Sequence, residues 1–163
     1  MARLFVAVWP PEDVIAELRV LPRKDRAGLR FVPPDRWHIT LRFLGEADPD
    51  VVADALAPIA EPATAWLGPG VDVLSNRVVV VPVHGLDALA ATVTKATAEI
   101  GDRPRRRFTA HLTIARLQPR ADLQRIVGAR VDAEFPVEEI ALVRSRLDPA
   151  GARYDTLATW PVG

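Results

Sequence analysis

The sequence contains no cysteine, and this absence excludes several kinds of site. None of its 163 residues can form a disulfide, a thiolate metal ligand or a thiol nucleophile. An excess of one charge is also missing, because 21 basic residues balance 21 acidic ones. Proteins that coat nucleic acid without regard to sequence are usually basic, so the balance disfavours that class and leaves only a local basic site open.

Long apolar runs are absent as well. No stretch approaches the roughly 20 apolar residues that a membrane-spanning helix needs, and we expect a cytoplasmic protein with no membrane partner. Hydrophobic residues make up 49% of the chain and charged residues 26%, which is enough for a core inside a normal soluble surface. Length and composition predict a single domain over residues 1–163.

Histidine is scarce, yet two of the three histidines occur in the same phrase, His-x-Thr-x, at residues 38–41 and 111–114. Each phrase lies in an apolar, β-branched run that predicts a strand. Residues two apart in a strand share a face, so His38 lies beside Thr40 and His111 beside Thr113. Two such strands facing each other would supply an acid, a base and two neutral donors. That inventory suits cleavage of a phosphodiester without a metal.

The order of predicted elements favours an α+β fold. Helices are predicted at 10–21, 48–60 and 86–100, with a short one at 121–129. The motif strands are predicted at 37–44 and 108–117, and two final strands at 137–147 and 153–160. Many short strands with Gly and Pro turns between them indicate antiparallel sheets. The two histidine phrases lie about half the chain apart, as expected if two similar lobes each contribute one strand to a central cleft.

Five segments carry a resemblance to a known family. They are RLFVAV at 3–8, WHITLRFLG at 37–45, FTAHLTIAR at 108–116, IALVRS at 140–145 and the ending from Tyr154 to Trp160-Pro161. These segments resemble the RNA 2′,3′-cyclic phosphodiesterase family, also called 2′-5′ RNA ligase-like, of the 2H phosphoesterase superfamily. The family often has Pro before the second histidine, where this chain has Ala110.

The resemblance implies a fold and a reaction. The fold is two pseudo-symmetric lobes whose antiparallel β-sheets line a central cleft, with the helices packed outside. The reaction is metal-independent hydrolysis of an RNA-terminal 2′,3′-cyclic phosphate to a 2′-phosphate, with no cofactor. His38 would be the proton donor to the leaving 3′-oxygen, and His111 the base that activates water. Thr40 and Thr113 would hold the non-bridging oxygens. The expected partners are RNA 3′ ends or nucleoside 2′,3′-cyclic phosphates, and no obligate protein partner, so we expect a monomer.

Three further residues are candidates for substrate contact. Arg42 shares the strand parity of His38 and Thr40, so it either reaches the phosphate or is a solvated charge at a strand end. Arg116 has the opposite parity to His111 unless a bulge intervenes, although the resemblance favours it at the site. Phe108 would give a base a stacking surface beside the basic stretch that contains Arg103, Arg105, Arg106 and Arg107. That stretch either guides RNA or is a solvated loop.

Other functions remain open at this point. A metal-dependent phosphodiesterase would need ligand spacings such as His-x-His or His-Glu-x-x-His, and neither is present. A catalytically silent module that binds RNA ends would keep the fold without turnover, although both histidines and both threonines are intact. A 2′-5′ oligonucleotide phosphodiesterase, or an RNA ligase running the reverse reaction, would keep both the fold and the chemistry.

Overall fold

The computed structural model describes residues 1–23, 28–121, 123 and 126–163. This part of the chain contains ten strands and three α-helices, which confirms the predicted α+β class. They are β1 (Ala2–Val8), α1 (Glu12–Arg19), β2 (Leu29–Phe31), β3 (Ile39–Ala47), α2 (Pro49–Leu56), β4 (Thr64–Leu67), β5 (Asp72–Leu74), β6 (Val78–His84), α3 (Asp87–Ala96), β7 (His111–Leu117), β8 (Ala133–Pro136), β9 (Glu139–Asp148) and β10 (Gly151–Pro161). The helix predicted at 121–129 lies partly outside the described residues, and residues 126–128 form a turn.

The strands join into one antiparallel arrangement with the two motif strands at its centre. The strand order is β10-β9-β1-β3-β7-β6-β4-β8, with β2 beside β7 and β5 beside β6. Strands β3 and β7 pair only where Ile39 lies opposite Leu112. Beyond that pair, β3 continues along β1, and β7 continues between β2 and β6. The pair therefore joins a first half-sheet (β10, β9, β1 and β3) to a second half-sheet (β2 and β4 to β8).

The helices connect the two half-sheets crosswise. Helix α3 follows β6 of the second half-sheet but packs against β3 of the first, and α1 follows β1 but packs against β8 of the second. The buried residues of α1 are Val14, Ile15 and Leu18, and those of α3 are Leu89, Ala90 and Val93. Full burial of each large aliphatic side chain contributes about 1.5–3 kcal/mol. This exchange of helices holds the half-sheets together behind the motif strands.

A β-bulge follows Thr40 in the first motif strand. Ala7 lies opposite Thr40 while its neighbour Val6 lies opposite Arg42, so Leu41 has no partner on β1. A bulge adds one residue and shifts the alternation of side chains. Leu41 and Arg42 are therefore both buried on the side of the main core. The opposite side of the sheet, which carries Thr40, is called the motif face below.

The prediction that Arg42 shares the face of His38 and Thr40 is wrong because of this bulge. Arg42 is only 4% exposed. Its Nε donates to Thr97 Oγ1 at 2.7 Å, and its Nη2 donates to the carbonyls of Thr97, Ile100 and Asp102 at 3.2, 3.0 and 3.2 Å. Arg42 thus fixes the carboxyl end of α3 against the first motif strand.

The segment that Arg42 holds is also pressed closely onto β3. The backbone N–H of Asp102 donates to the carbonyl of Leu44 at 2.7 Å. Gly101 has a φ of 67°, and a Cβ there would collide with the same carbonyl oxygen. Glycine is required at that position by both the left-handed backbone and the lack of space. The chain that leads from α3 toward the second motif is consequently anchored on the first motif strand.

The second motif strand repeats the bulge at the equivalent residue. Val80 lies opposite Thr113 while Val79 lies opposite Ala115, which leaves Ile114 without a partner on β6. Ile114 and Ala115 are both buried, and the next residue, Arg116, is exposed. The shifted alternation places Arg116 in phase with Thr113, on the motif face. Simple alternation would put Arg116 on the face opposite His111, and this bulge is the irregularity that brings it to the same face.

We expect Arg42→Met to destabilise the fold by about 2–4 kcal/mol, because it leaves the carbonyls at the end of α3 buried without donors. Lys95→Gln is the matched control, since Lys95 is an exposed cation in the last turn of the same helix. We expect it to change stability by less than about 0.5 kcal/mol. Urea unfolding measures both. Equal stabilities for the two variants would contradict a structural role for Arg42.

Candidate active site

Both motif histidines are anchored in the same way. The Nδ1 atom of His38 lies 2.8 Å from the carbonyl oxygen of Arg36, and that of His111 lies 2.7 Å from the carbonyl oxygen of Thr109. A carbonyl oxygen only accepts, so Nδ1 carries the hydrogen in each ring. Each Nε2 is then the atom that takes up or gives a proton. The carbonyl lies two residues upstream of the histidine in both cases, so the two motifs share this hydrogen bond as well as the bulge.

The register of the motif strands brings the two phrases together. Extending the pair of Ile39 with Leu112 by one residue in each direction sets His38 opposite Thr113 and Thr40 opposite His111. Residues directly opposite have Cβ atoms about 4.5–5.5 Å apart, and diagonal neighbours such as the two histidines are about 7–8 Å apart. All four side chains are half-buried. One small anion thus has room between two rings and two hydroxyls.

Three aromatic rings surround His38. Its ring centroid lies 5.0 Å from that of Phe5, 5.6 Å from that of Trp9 and 5.1 Å from that of Tyr154. The Trp9 Nε1 donates to Thr156 Oγ1 at 3.1 Å, which fixes the indole in place. The sequence leaves Trp9 and Tyr154 open as either cleft-lining or core aromatics, and it does not predict Phe5 at the site. A sequence signal for Phe5 exists, because it has the strand parity of Ala7, but only the pairing of β1 with β3 shows that Ala7 lies opposite Thr40.

The aromatic surroundings alter the acidity of His38. Burial is the largest cause and lowers the pKa of His38 below its ordinary 6.5, because a charged ring loses hydration there. The hydrogen bond to the Arg36 carbonyl acts in the opposite direction and raises the pKa. The charge of His111 lowers it further. The two rings are therefore close enough for the charge of His111 to act on His38.

The remaining candidates divide between the motif face and other places. Arg116 is exposed on the motif face. Phe108 is half-buried and packs against the main core with part of its surface, and its predicted role as a stacking surface stays a prediction. The exposed arginines between α3 and β7 are Arg103, Arg105, Arg106 and Arg107. Their predicted role in guiding RNA stays a prediction.

Over residues 1–23, 28–121, 123 and 126–163, no group of three or more His, Asp or Glu side chains is placed to hold a metal ion. None of the helices in these ranges has the length and apolar character to cross a membrane.

Fold and site together define a class of protein. A model of the 2′-5′ RNA ligase superfamily matches residues 6–149, and the chain belongs to that family. This confirms the resemblance read from the motif segments. An RNA 2′,3′-cyclic phosphodiesterase of Thermus thermophilus is 32% identical over 95% of this chain and 87% of its own length. An enzyme of the same name from Archaeoglobus fulgidus is 30% identical over 95% of this chain and 97% of its own. These relatives bear out the expected class, a phosphoric diester hydrolase.

Solved structures show the same architecture. A Thermus thermophilus protein superposes with a TM-score of 0.77 at 30% identity, covering 98% of this chain and 97% of its own. E. coli LigT complexed with 3′-AMP superposes with a TM-score of 0.80 at 26% identity, covering 99% and 98%.

We expect the pKa of His38, read from its ring protons by NMR titration, to lie below 6.5. His111→Asn removes the repelling charge and should raise that pKa, yet leave it below 6.5 because burial is the larger cause. Tyr154→Ala opens the aromatic surroundings and should also raise it. A His38 that titrates above 6.5 in the unmodified protein would contradict the burial argument.

Proposed function

We propose that this protein hydrolyses RNA-terminal 2′,3′-cyclic phosphates to 2′-phosphates, using His38 and His111 as an acid and base pair without a metal. The observation that supports this most directly is the symmetry of the two motifs. Each gives a ring whose Nδ1 is fixed by a carbonyl and whose Nε2 has no hydrogen-bond partner among the described residues, beside a threonine hydroxyl. The names of the Thermus and Archaeoglobus relatives agree with this substrate.

The reaction needs groups on two sides of one phosphorus atom. Water attacks phosphorus in line with the 3′-oxygen, so the P–O3′ bond breaks as the bond to water oxygen forms. His111 accepts the proton from water, and His38 gives a proton to the departing 3′-oxygen. Thr40 and Thr113 donate to the non-bridging oxygens and stay neutral, so they orient the phosphate without taking part in proton transfer. Both motifs belong to one chain, so one chain completes this set.

The lowered pKa of His38 has to be reconciled with its role as the acid. In the free protein, burial and the charge of His111 favour the neutral ring. A phosphodiester anion between the rings raises the pKa of His38, since it favours the charged form of that ring. Its attraction is stronger at the ring that is more shielded from water, because the local dielectric is lower there. Substrate binding thus promotes protonation of His38, and the resemblance assigns the donor role to the same ring.

The central experiment is product analysis of a short RNA that ends in a 2′,3′-cyclic phosphate. We expect mass spectrometry to show a gain of one water, and digestion with a 3′-phosphate-specific phosphatase to leave the product intact. Turnover should persist in excess EDTA, because the two rings and two hydroxyls supply the proposed chemistry. Binding without turnover would support the silent-module alternative. Activity that chelation abolishes and a divalent ion restores would overturn the metal-free proposal.

Leaving-group dependence separates the two histidines. We expect His38→Ala and His111→Ala each to lower kcat by about 10²–10⁴-fold on a nucleoside 2′,3′-cyclic phosphate, the usual contribution of a positioned acid or base. A phosphodiester with a much better leaving group needs no proton donor. It should restore part of the activity of His38→Ala and none of that of His111→Ala.

The far-ultraviolet circular dichroism spectra of both variants serve as the control for folding. A folded variant that turns over at near the original rate would overturn the paired-histidine proposal. If the better leaving group rescued His111→Ala instead, the acid and base roles would be exchanged.

A further inference from the structure

A second arginine lies directly opposite Arg116 on the motif face. Strand β2 pairs with β7 so that Arg30 faces Arg116 across the two strands. The neighbours of Arg30 point to the core, since Leu29 is buried and Phe31 packs against the main core. Alternation along the strand then directs Arg30 to the motif face. Both arginines are exposed.

Like charges directly opposite each other in an antiparallel pair are destabilising. The chain contains another such pair, Arg146 opposite Arg153 in the β9–β10 hairpin. There, Asp155 supplies the opposite charge, with its Oδ2 2.7 Å from Arg146 Nη2 and its Oδ1 4.0 Å from Arg153 Nε. Within the described residues, no carboxylate lies in salt-bridge distance of Arg30 or Arg116. The pair on the motif face is therefore suited to an anion from outside the protein.

The position of this pair relative to the histidines indicates which anion it suits. Arg116 lies three residues beyond Thr113, about 10 Å along the strand, and Arg30 lies one strand farther away. The guanidinium groups thus lie beside the space between the rings rather than in it. One described acid on this part of the motif face is Asp72. It lies opposite Val80 on the other side of β7, and its Oδ1 accepts from the backbone N–H of Val73 at 2.8 Å.

We infer that Arg30 and Arg116 bind the phosphodiester on the 5′ side of the terminal nucleotide. The preferred substrate is then an oligonucleotide end, because a nucleoside 2′,3′-cyclic phosphate has no second phosphate for these side chains. Two guanidinium groups can together hold one phosphate by charge-assisted hydrogen bonds. This inference rests on the proposed function, which supplies the position of the cyclic phosphate between His38 and His111.

The test compares kcat/KM for cytidine 2′,3′-cyclic phosphate and for the dinucleotide that carries the same terminus, UpC 2′,3′-cyclic phosphate. We expect the unmodified protein to prefer the dinucleotide, and Arg30→Gln to lower kcat/KM for the dinucleotide roughly tenfold, as for loss of one charge-assisted contact. Activity on the mononucleotide should stay within about twofold, well under one such contact. Arg146→Gln is the matched control, because it removes one arginine from the opposed pair that Asp155 already neutralises, and it should leave the preference intact.

Salt dependence and thermal stability are two measurements that distinguish a phosphate-binding arginine from a purely structural one. Arg30→Gln should reduce the slope of log kcat/KM against log salt for the dinucleotide by about 0.7, the value for one phosphate contact on a single strand. The melting temperature should stay equal or rise, since the substitution removes repulsion across β2 and β7. A lowered melting temperature with equal losses on both substrates would overturn the inference.

The outcomes separate this inference from the proposed function. If the mononucleotide is hydrolysed but the dinucleotide is not preferred, the inference fails while the proposed function stands. If neither cyclic phosphate is hydrolysed, the proposed function fails. Fluorescence anisotropy with a 5′-labelled trinucleotide ending in a 2′-phosphate measures how tightly the arginine pair binds RNA, without turnover. Weaker binding by Arg30→Gln and unchanged binding by Arg146→Gln support the pair as a phosphate site, and equal binding by all three proteins overturns it.

Discussion

The contact between β3 and β7 at Ile39 and Leu112 is the constraint on which the site depends. Because the strands run antiparallel, one residue in either direction brings the histidine of one motif opposite the threonine of the other. A shift of one residue in either strand would turn the histidine and the threonine of that strand toward the core. Strands β1 and β6 hold the outer edges of this pair, and α1 and α3 pack crosswise behind the half-sheets. The register of two short phrases is thus fixed by most of the fold.

The bulges after Thr40 and Thr113 divide each motif strand into two parts that direct their side chains differently. Upstream of each bulge, a histidine and a threonine face the substrate side. Downstream, Arg42 turns inward and binds the end of α3, while Arg116 turns outward. The same local irregularity therefore gives one strand a buried anchor and the other an exposed cation. Bulges are frequent next to active sites for this reason, because they redirect a side chain without ending the strand.

The two motifs are alike in backbone but differ in surroundings. Each histidine donates from Nδ1 to a carbonyl two residues upstream, yet only His38 lies among Phe5, Trp9 and Tyr154. Burial lowers the pKa of His38 there, so the two rings of a nearly symmetric pair have different surroundings. A reaction that needs one acid and one base requires such a difference. The symmetry of the two motifs sets the positions of the two histidines, and the aromatic side chains give only one of them apolar surroundings.

The sequence by itself determined the class of fold and the candidate catalytic residues. The repeated His-x-Thr-x phrase, its apolar strand context and the short strands between turns sufficed, because strand periodicity is local and the motif residues are rare. Tertiary structure decided the rest. Parity failed for Arg42 because a bulge depends on pairing with another strand. The aromatic group around His38 and the opposition of Arg30 to Arg116 arise from strands distant in sequence. Their register is set by packing, which no local pattern encodes.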